Sequence, residues 1–278
     1  MQKFTLEIQF HIIGIGSASG LVYKDKSLFI IGDNSGYIYE YSIPTKTLQL
    51  HKIIENTTEN IPKSDKPDFE AITHFGDTLY VFGSGSTAKR NAMIEINTKA
   101  KKVRTNDLKD LYDVMQSFGE ILPEDFNIEG AINTGKEWYL FNRGNGAYAK
   151  NSVFTIQGKN LVNEFKMLFN TYKLPKTKGV RFSFTDAVIL DNKIYFLSTA
   201  EDTKSTYEDG EILGSIMGCI DTKTMKIDYT KKISNTHKFE GITVYKNSND
   251  KIEFLICEDK DNEELETSIY KLTIDKKH

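Results

Sequence analysis

The chain has 278 residues, 39% of them hydrophobic and 27% charged, a composition too apolar for a disordered protein. Its formal net charge of −3 offers no basic face for nucleic-acid phosphates, so nucleic acid is excluded as the expected partner. Two cysteines, Cys219 and Cys257, are too few for a disulfide framework and are expected to be small buried apolar residues.

Residues 3–13 alternate apolar and polar, which predicts a β-strand. Glu7 and Gln9 interrupt any signal-peptide apolar core, and no run approaches the roughly 18 apolar residues of a membrane span. A cytoplasmic monomer with no membrane association is therefore expected, folded as a single domain over 1–278. After this strand a short phrase recurs: Ala18-Ser19-Gly20-Leu21, Phe69-Glu70-Ala71-Ile72, Ile128-Glu129-Gly130-Ala131, Thr185-Asp186-Ala187-Val188 and Phe239-Glu240-Gly241-Ile242. Counted on the second residue of each, the steps are 51, 59, 57 and 54, and 57 from the last round through the termini to the first. Near-equal steps that close a circle predict a repeat architecture.

Each phrase opens a β-rich unit. In the first, a strand at 27–31 leads to turn 32–36 and a third strand at 37–41. The second has strands at 78–82 and 92–96 around turn 83–87. Between the second and third units, Leu108, Leu111, Tyr112 and Met115 have helical spacing, so a short capping helix is expected within 107–126. The third unit carries a strand at 137–141 and turn 142–146, and the fourth a strand at 193–197 and turn 198–202. The fifth has strands at 251–255 and 268–272 around turn 257–261, then ends without a fourth strand. The expected fold is all-β, a five-bladed β-propeller of four-stranded antiparallel blades, its ring closed by the N-terminal strand in the last blade.

In a propeller the innermost strands line the channel, so Ser19, Glu70, Glu129, Asp186 and Glu240 are expected to form one ring. Close carboxylate pairs repel by about 4 kcal/mol at 4 Å and an effective dielectric near 20. Such a ring relaxes by holding protons, admitting water or binding a cation. Oxygen ligands select Ca²⁺, with Mg²⁺ and Mn²⁺ as alternatives, over a thiophilic metal. The rim turns add acids beside two candidate anion binders, Arg90 and Arg143, a combination suited to a small anionic ligand. His74 lies along the strand from Glu70 and is read as a structural histidine rather than a base. No nucleophile elbow, Walker sequence, zincin helix or Cys-x-x-Cys pair is present.

The phrases resemble the calcium-activated nucleotidase (apyrase) family of five-bladed propellers. The matching pieces are Ser19-Gly20-Leu21, Glu70-Ala71, Glu129-Gly130-Ala131, Arg181-Phe182-Ser183-Phe184, Lys238-Phe239-Glu240-Gly241-Ile242 and Asp33-Asn34-Ser35-Gly36-Tyr37-Ile38-Tyr39. The resemblance implies a central Ca²⁺ held by Ser and Glu residues of successive blades, and it leaves Ser183 and Asp186 as alternatives in blade four. Asn34 stands where that family has an arginine, and its paired third-blade arginines are reduced to Asn142-Arg143, so the likeness supports the metal site better than the activity. As a whole the chain is more similar to an uncharacterised bacterial propeller family sharing Ser17-Ala18-Ser19-Gly20-Leu21, Arg143-Gly144-Asn145 and Thr206-Tyr207-Glu208-Asp209-Gly210.

The leading expectation is a metal-dependent hydrolase of a phosphorylated small molecule such as a nucleotide, with Arg143 binding charge and Asp33 or Glu201 as base. The alternatives are a non-enzymatic, metal-stabilised propeller that binds a small ligand or protein, and a metal-dependent esterase or lactonase.

Overall fold

The computed structural model describes residues 3–148, 150–162, 166–203, 210–260 and 265–276. The alternating N-terminal segment forms β1 (Phe4–Ile13), which lies in the last blade. Blade one is β2 (Ala18–Lys24), β3 (Ser27–Gly32), β4 (Tyr37–Ser42) and β5 (Thr47–Lys52). Blade two is β6 (Phe69–Phe75), β7 (Thr78–Gly83), β8 (Ala92–Asn97) and β9 (Lys102–Asp107), followed by helix α1 (Lys109–Gly119). Blade three is β10 (Ile128–Asn133), β11 (Glu137–Asn142), β12 (Ser152–Gln157) and β13 (Met167–Thr171). A small ribbon of β14 (Lys176–Thr177) and β15 (Val180–Arg181) leads into blade four. That blade is β16 (Ser183–Leu190), β17 (Lys193–Asp202), β18 (Glu211–Asp221) and β19 (Lys226–Ser234). Blade five is β20 (Phe239–Asn247), β21 (Lys251–Glu258), β22 (Glu266–Asp275) and β1.

Each blade is a four-stranded antiparallel sheet, and the five innermost strands pack against one another in the closed order β2, β6, β10, β16, β20. β1 pairs with β22 from Phe4↔Ile274 to Ile13↔Glu266, so first and last strands share a sheet and cover an edge that would otherwise stay open. Exposure rises outward: β3 is buried throughout, whereas most of β5 is exposed.

The core lies between blades. Val22, Phe29 and Ile31 of blade one meet Ile72, Val81 and Ile94 of blade two, and four further clusters fill the remaining joints. Removing side chains of this size from water stabilises by roughly 1.5–3 kcal/mol each. The helix forms where its spacing predicts. Leu111, Tyr112 and Met115 are buried in the joint of blades two and three, and the Tyr112 hydroxyl donates to the Gly83 carbonyl (2.9 Å), so α1 is a cap built into the core. Cys219 and Cys257 are both free and buried, and burial pushes their thiols up. Among the described residues, no helix is long and apolar enough to cross a membrane.

One expectation fails here. Residues 198–202 are not a turn: β17 runs on to Asp202, pairing Ser198↔Ile216, Thr199↔Ser215 and Glu201↔Ile212 across a bulge. Gly214 (φ +108°) lets β18 bend opposite that bulge, in a backbone region that residues with a Cβ rarely adopt. β17 and β18 therefore stay paired out to Asp202↔Glu211. Residues 204–209, which include most of the Thr206–Gly210 motif, and Asp261 of the fifth turn lie outside the described residues.

Candidate functional site in the central channel

Near its start each innermost strand carries a β-bulge, where two residues oppose one on the neighbouring strand and a side chain is re-aimed. The bulge falls between Ala18 and Gly20, Phe69 and Ala71, Ile128 and Gly130, and Phe239 and Gly241. Ser19, Glu70, Glu129 and Glu240 are thus equivalent, as the repeat predicts. Blade four departs from the expected frame by one residue: its bulge lies between Phe184 and Asp186, on Thr185. The steps across it become 56 and 55, and the phrase becomes Phe184-Thr185-Asp186-Ala187, apolar residues at both ends as in the other blades.

The hydroxyl members of this ring tie blades together. Ser19 Oγ donates to the Phe69 carbonyl (2.5 Å) and Thr185 Oγ1 to the Phe239 carbonyl (2.7 Å), in each case the residue before the next blade's bulge glutamate. Asp186, 2% exposed, accepts from the backbone N–H groups of Ala187 and Ile242, both at 2.7 Å. Burial still pushes its carboxyl well above the usual range, against those two bonds. Ser183 accepts from Arg143 Nε (3.3 Å) and donates to the Thr199 carbonyl (3.3 Å). His74 lies at the far end of β6, opposite Leu79, and is exposed.

Two residues before each bulge lies a second polar set: Ser17, Asp68, Asn127, Ser183 and Lys238. One residue past the partners of Ala18, Phe69, Ile128, Phe184 and Phe239 on the second strands come Asp33, Ser84, Arg143, Thr199 and Asp259, of which Thr199 is still paired, with Ser183. Backbone bonds lock the two sets together, from Ser84 N to the Asp68 carbonyl (3.0 Å), Arg143 N to Asn127 (2.8 Å) and Asp259 N to Lys238 (3.0 Å).

These tiers place Arg143 among three carboxylates. It donates from Nη1 to both oxygens of Glu129 (2.8 and 3.0 Å) and from Nη2 to Glu201 (2.5 Å), and Nη1 is 3.8 Å from Glu240. Burial works against its charge, but Glu129, Glu201 and Glu240 together hold the guanidinium above its ordinary value. Glu201 reaches this group because β17 is long, and its other oxygen accepts from Gly210 N (2.8 Å). On the blade-five side, Lys238 Nζ is 3.1 Å from Glu240 and 3.1 Å from Asp259.

A second assembly joins blades one and two. Lys66 Nζ contacts Asp33 and is 2.8 Å from Asp68, whose other oxygen accepts from Arg90 (2.9 Å) and Ser84 (2.5 Å). Arg90 also donates to Ser86 (2.9 Å) and the Lys63 carbonyl (3.0 Å). One carboxylate oxygen from each of Asp33, Asp68 and Glu70 falls within a sphere where all lie within 4.8 Å of one another. Glu70 accepts no hydrogen bond among the described residues, and Asp33 Oδ1 is buried without a partner. Burial, then Asp68 and Glu129, push the Glu70 carboxyl well above its usual range. Burial also works against the Lys66 charge, yet Glu70, Asp33 and Asp68 hold its ammonium protonated. Burial thus biases the carboxyls of Asp33 and Glu70 toward their protonated forms, and Glu70 has the fewest donors to oppose it.

The expected ring of like charges is therefore a chain of alternating ones. Seven carboxylates (Asp33, Asp68, Glu70, Glu129, Glu201, Glu240 and Asp259) face four cations, Lys66, Arg90, Arg143 and Lys238. Among the described residues carboxylates thus outnumber cations here, an excess of the kind that protons or a cation can relieve. Of the residues expected to act in chemistry, Arg143 and Glu201 meet each other, and Asp33 stands with Asp68 and Glu70. Sequence reasoning missed Lys66 and Asp68, and reached Asp259 only as one of the acids of rim turn 257–261. A signal existed: the position two before each bulge is polar in all five repeats.

A model described as a family of unknown function (DUF6929) matches residues 14–274. No curated protein matches the sequence. Among solved structures, the nidogen/laminin complex is similar at TM-score 0.47 and 10% identity, over 87% of this chain and 74% of that one. The WD40 repeats of RRP9 give TM-score 0.48 and 7% identity, over 98% and 100%. U3-55K gives 0.44 and 8%, over 92% and 79%.

Proposed function

From a chain that belongs to a family of unknown function (DUF6929), we propose a metal-dependent hydrolase that acts on a phosphorylated small molecule in the propeller channel. The observation that carries this reading is the convergence of Asp33, Asp68 and Glu70, with Asp33 Oδ1 and the Glu70 carboxyl both unpartnered. An all-oxygen donor set of that charge fits a hard cation, Ca²⁺ or, in a compartment poor in it, Mg²⁺ or Mn²⁺. When bound, such an ion supplies Lewis-acid polarisation of a phosphoryl oxygen.

The chain's own residues divide the remaining work. Glu70 would lose its proton to become a ligand, and Asp33 and Asp68 would hold the opposite side. With Oδ2 held by Lys66 and Oδ1 the oxygen left for the cation, Asp33 would be a ligand rather than the base. Both oxygens of Glu201 are engaged, by Arg143 and Gly210, which makes it a positioning residue for the guanidinium. Lys66 and Arg143 would meet an anionic ligand only by exchanging a carboxylate partner for it.

That full pairing also favours the second reading, a non-enzymatic propeller in which a cation rigidifies the channel and the rim takes a ligand. One experiment separates them: turnover of nucleotide, phosphomonoester, ester and lactone panels with Ca²⁺, Mg²⁺ or Mn²⁺, for the wild type and Glu70→Gln. Metal-dependent phosphate release lost in the variant supports the hydrolase. A cation-induced rise in melting temperature with no turnover leaves the binding protein, and neither effect refutes both.

A further inference from the structure

The carboxylates of Asp33, Asp68 and Glu70 already hold one cation, the ammonium of Lys66. Its Nζ contacts Asp33 Oδ2 and lies 2.8 Å from Asp68 Oδ1, at a cluster in which one oxygen of each acid falls within 4.8 Å of the others. The Lys66 side chain is 12% exposed there, so its amine is largely shielded from solvent. The remaining oxygen of Asp33, Oδ1, is buried and accepts from no donor among the described residues.

The backbone that carries Lys66 is fixed. Loop 53–68 is strapped to blade one, with the Ile53 and Ile54 N–H groups donating to the Gly36 carbonyl (3.0 and 3.2 Å). Farther along, Ile61 N–H donates to Asn34 (2.8 Å) and Asp68 N–H to Asp33 (2.9 Å). The amides of Asp65 and Lys66 close a turn on the Pro62 carbonyl (2.8 and 2.9 Å), and residues 62–65 of that turn are exposed. Lys66 thus sits next to solvent on an anchored turn, and its flexible four-carbon stem can swing outward with no change in the fold.

An ammonium and a divalent cation drawn to the same carboxylate oxygens repel each other and compete for them. A hard dication also takes more oxygen ligands than three donors of an ammonium can engage. We infer that Lys66 is a tethered counter-ion that holds the cation's place in the metal-free protein and is displaced toward solvent when a divalent cation binds. The inference rests on the metal reading above and adds an exchange to it: the three acids are countered by either occupant, never by both.

Acetylation of the full wild-type chain with an amine-reactive ester, read at Lys66 by peptide mass spectrometry, follows the exchange without any substitution. Saturating Ca²⁺ or Mn²⁺ should raise modification of Lys66, while Lys89, 73% exposed, reacts equally with and without the ion. By calorimetry, Lys66→Met should bind the same ion roughly tenfold more tightly than the wild type. Lys66→Arg keeps the charge and should bind no more tightly. Lys89→Met removes a charge outside the cluster and should match the wild type, which separates displacement from a change in net charge. Wild-type binding with Lys66 acetylation unchanged, or with no gain in Lys66→Met, overturns the exchange and leaves the metal reading standing. No binding by either the wild type or Lys66→Met overturns both. The acetylation result decides even where Lys66→Met fails to fold.

Discussion

Replacing Arg143 with methionine tests the charge chain at its most connected point. The substitution keeps an apolar stem but removes three hydrogen bonds to Glu129 and Glu201 and the approach to Glu240, leaving carboxylates that are 3%, 7% and 4% exposed at Glu129, Glu201 and Glu240. A unit pair at 4 Å is worth about 4 kcal/mol at an effective dielectric of 20. Removing one partner of a buried pair costs about 3–5 kcal/mol once the stranded charge is counted. Against a total stability of roughly 5–15 kcal/mol, that is about a fifth of the margin or more.

The pH dependence is the sharper test. Burial already holds the Glu129 carboxyl above its ordinary value, with Arg143 opposing the shift. Without Arg143 the folded-state value rises further, while the unfolded one stays near about 4.3. The folded variant then binds a proton more tightly than the unfolded chain, so its stability falls as pH rises between those two values. Urea unfolding followed by Trp138 emission should show a deficit that is smallest near about pH 5 and largest near about pH 8. Adding Glu201→Gln should recover roughly 0.5–3 kcal/mol, the range of coupling between contacting residues. A deficit under about 1 kcal/mol, or one that does not change with pH, would refute the reasoning, since surface ion pairs behave that way.

The other tests address the remaining tiers. Added Ca²⁺ or Mn²⁺ should raise the melting temperature of the wild type more at alkaline than at acid pH, because Glu70 must release its proton to bind; an equal rise in Glu70→Gln would rule out this site. Asp186→Ala should cost about 2 kcal/mol or more in chemical denaturation, since the amides of Ala187 and Ile242 lose their acceptor; a neutral result would show that water replaces it. Thr185→Val should cost about 0.5–1.5 kcal/mol for the lost bond to Phe239 without changing cation affinity by calorimetry. Deleting β1 exposes the β22 edge and should produce aggregates on size-exclusion chromatography; an elution unchanged from the full chain would mean that blade five closes without it.

How far the sequence could be read follows from what each feature depends on. The blades are local: every strand carries its own β pattern, and the repeat spacing supplies the count, so both the fold and the shared sheet of β1 and β22 were legible. The bulge ring was legible in four blades because Ser19, Glu70, Glu129 and Glu240 precede a small residue. It slipped by one in blade four because Asp186, an acid, drew the alignment away from Thr185, the residue that the backbone places there. Acid identity misled where backbone register decides. Reading 198–202 as a turn failed for a related reason. Polar residues mark turns only where they are solvated, and Ser198, Thr199 and Glu201 are buried in a hairpin whose bend is made by the positive φ of Gly214. The cations that neutralise the channel were hardest to see, because a lone Lys66 in a loop reads as surface. Its role follows only when Asp33, at the end of β3, and Asp68, before β6, are brought together across a blade boundary. Counting acids at one repeat position therefore overstated the repulsion. The repeat position two residues earlier, polar in every blade and basic in one, already held part of the answer: a propeller can distribute counter-charge along its bulges as readily as charge.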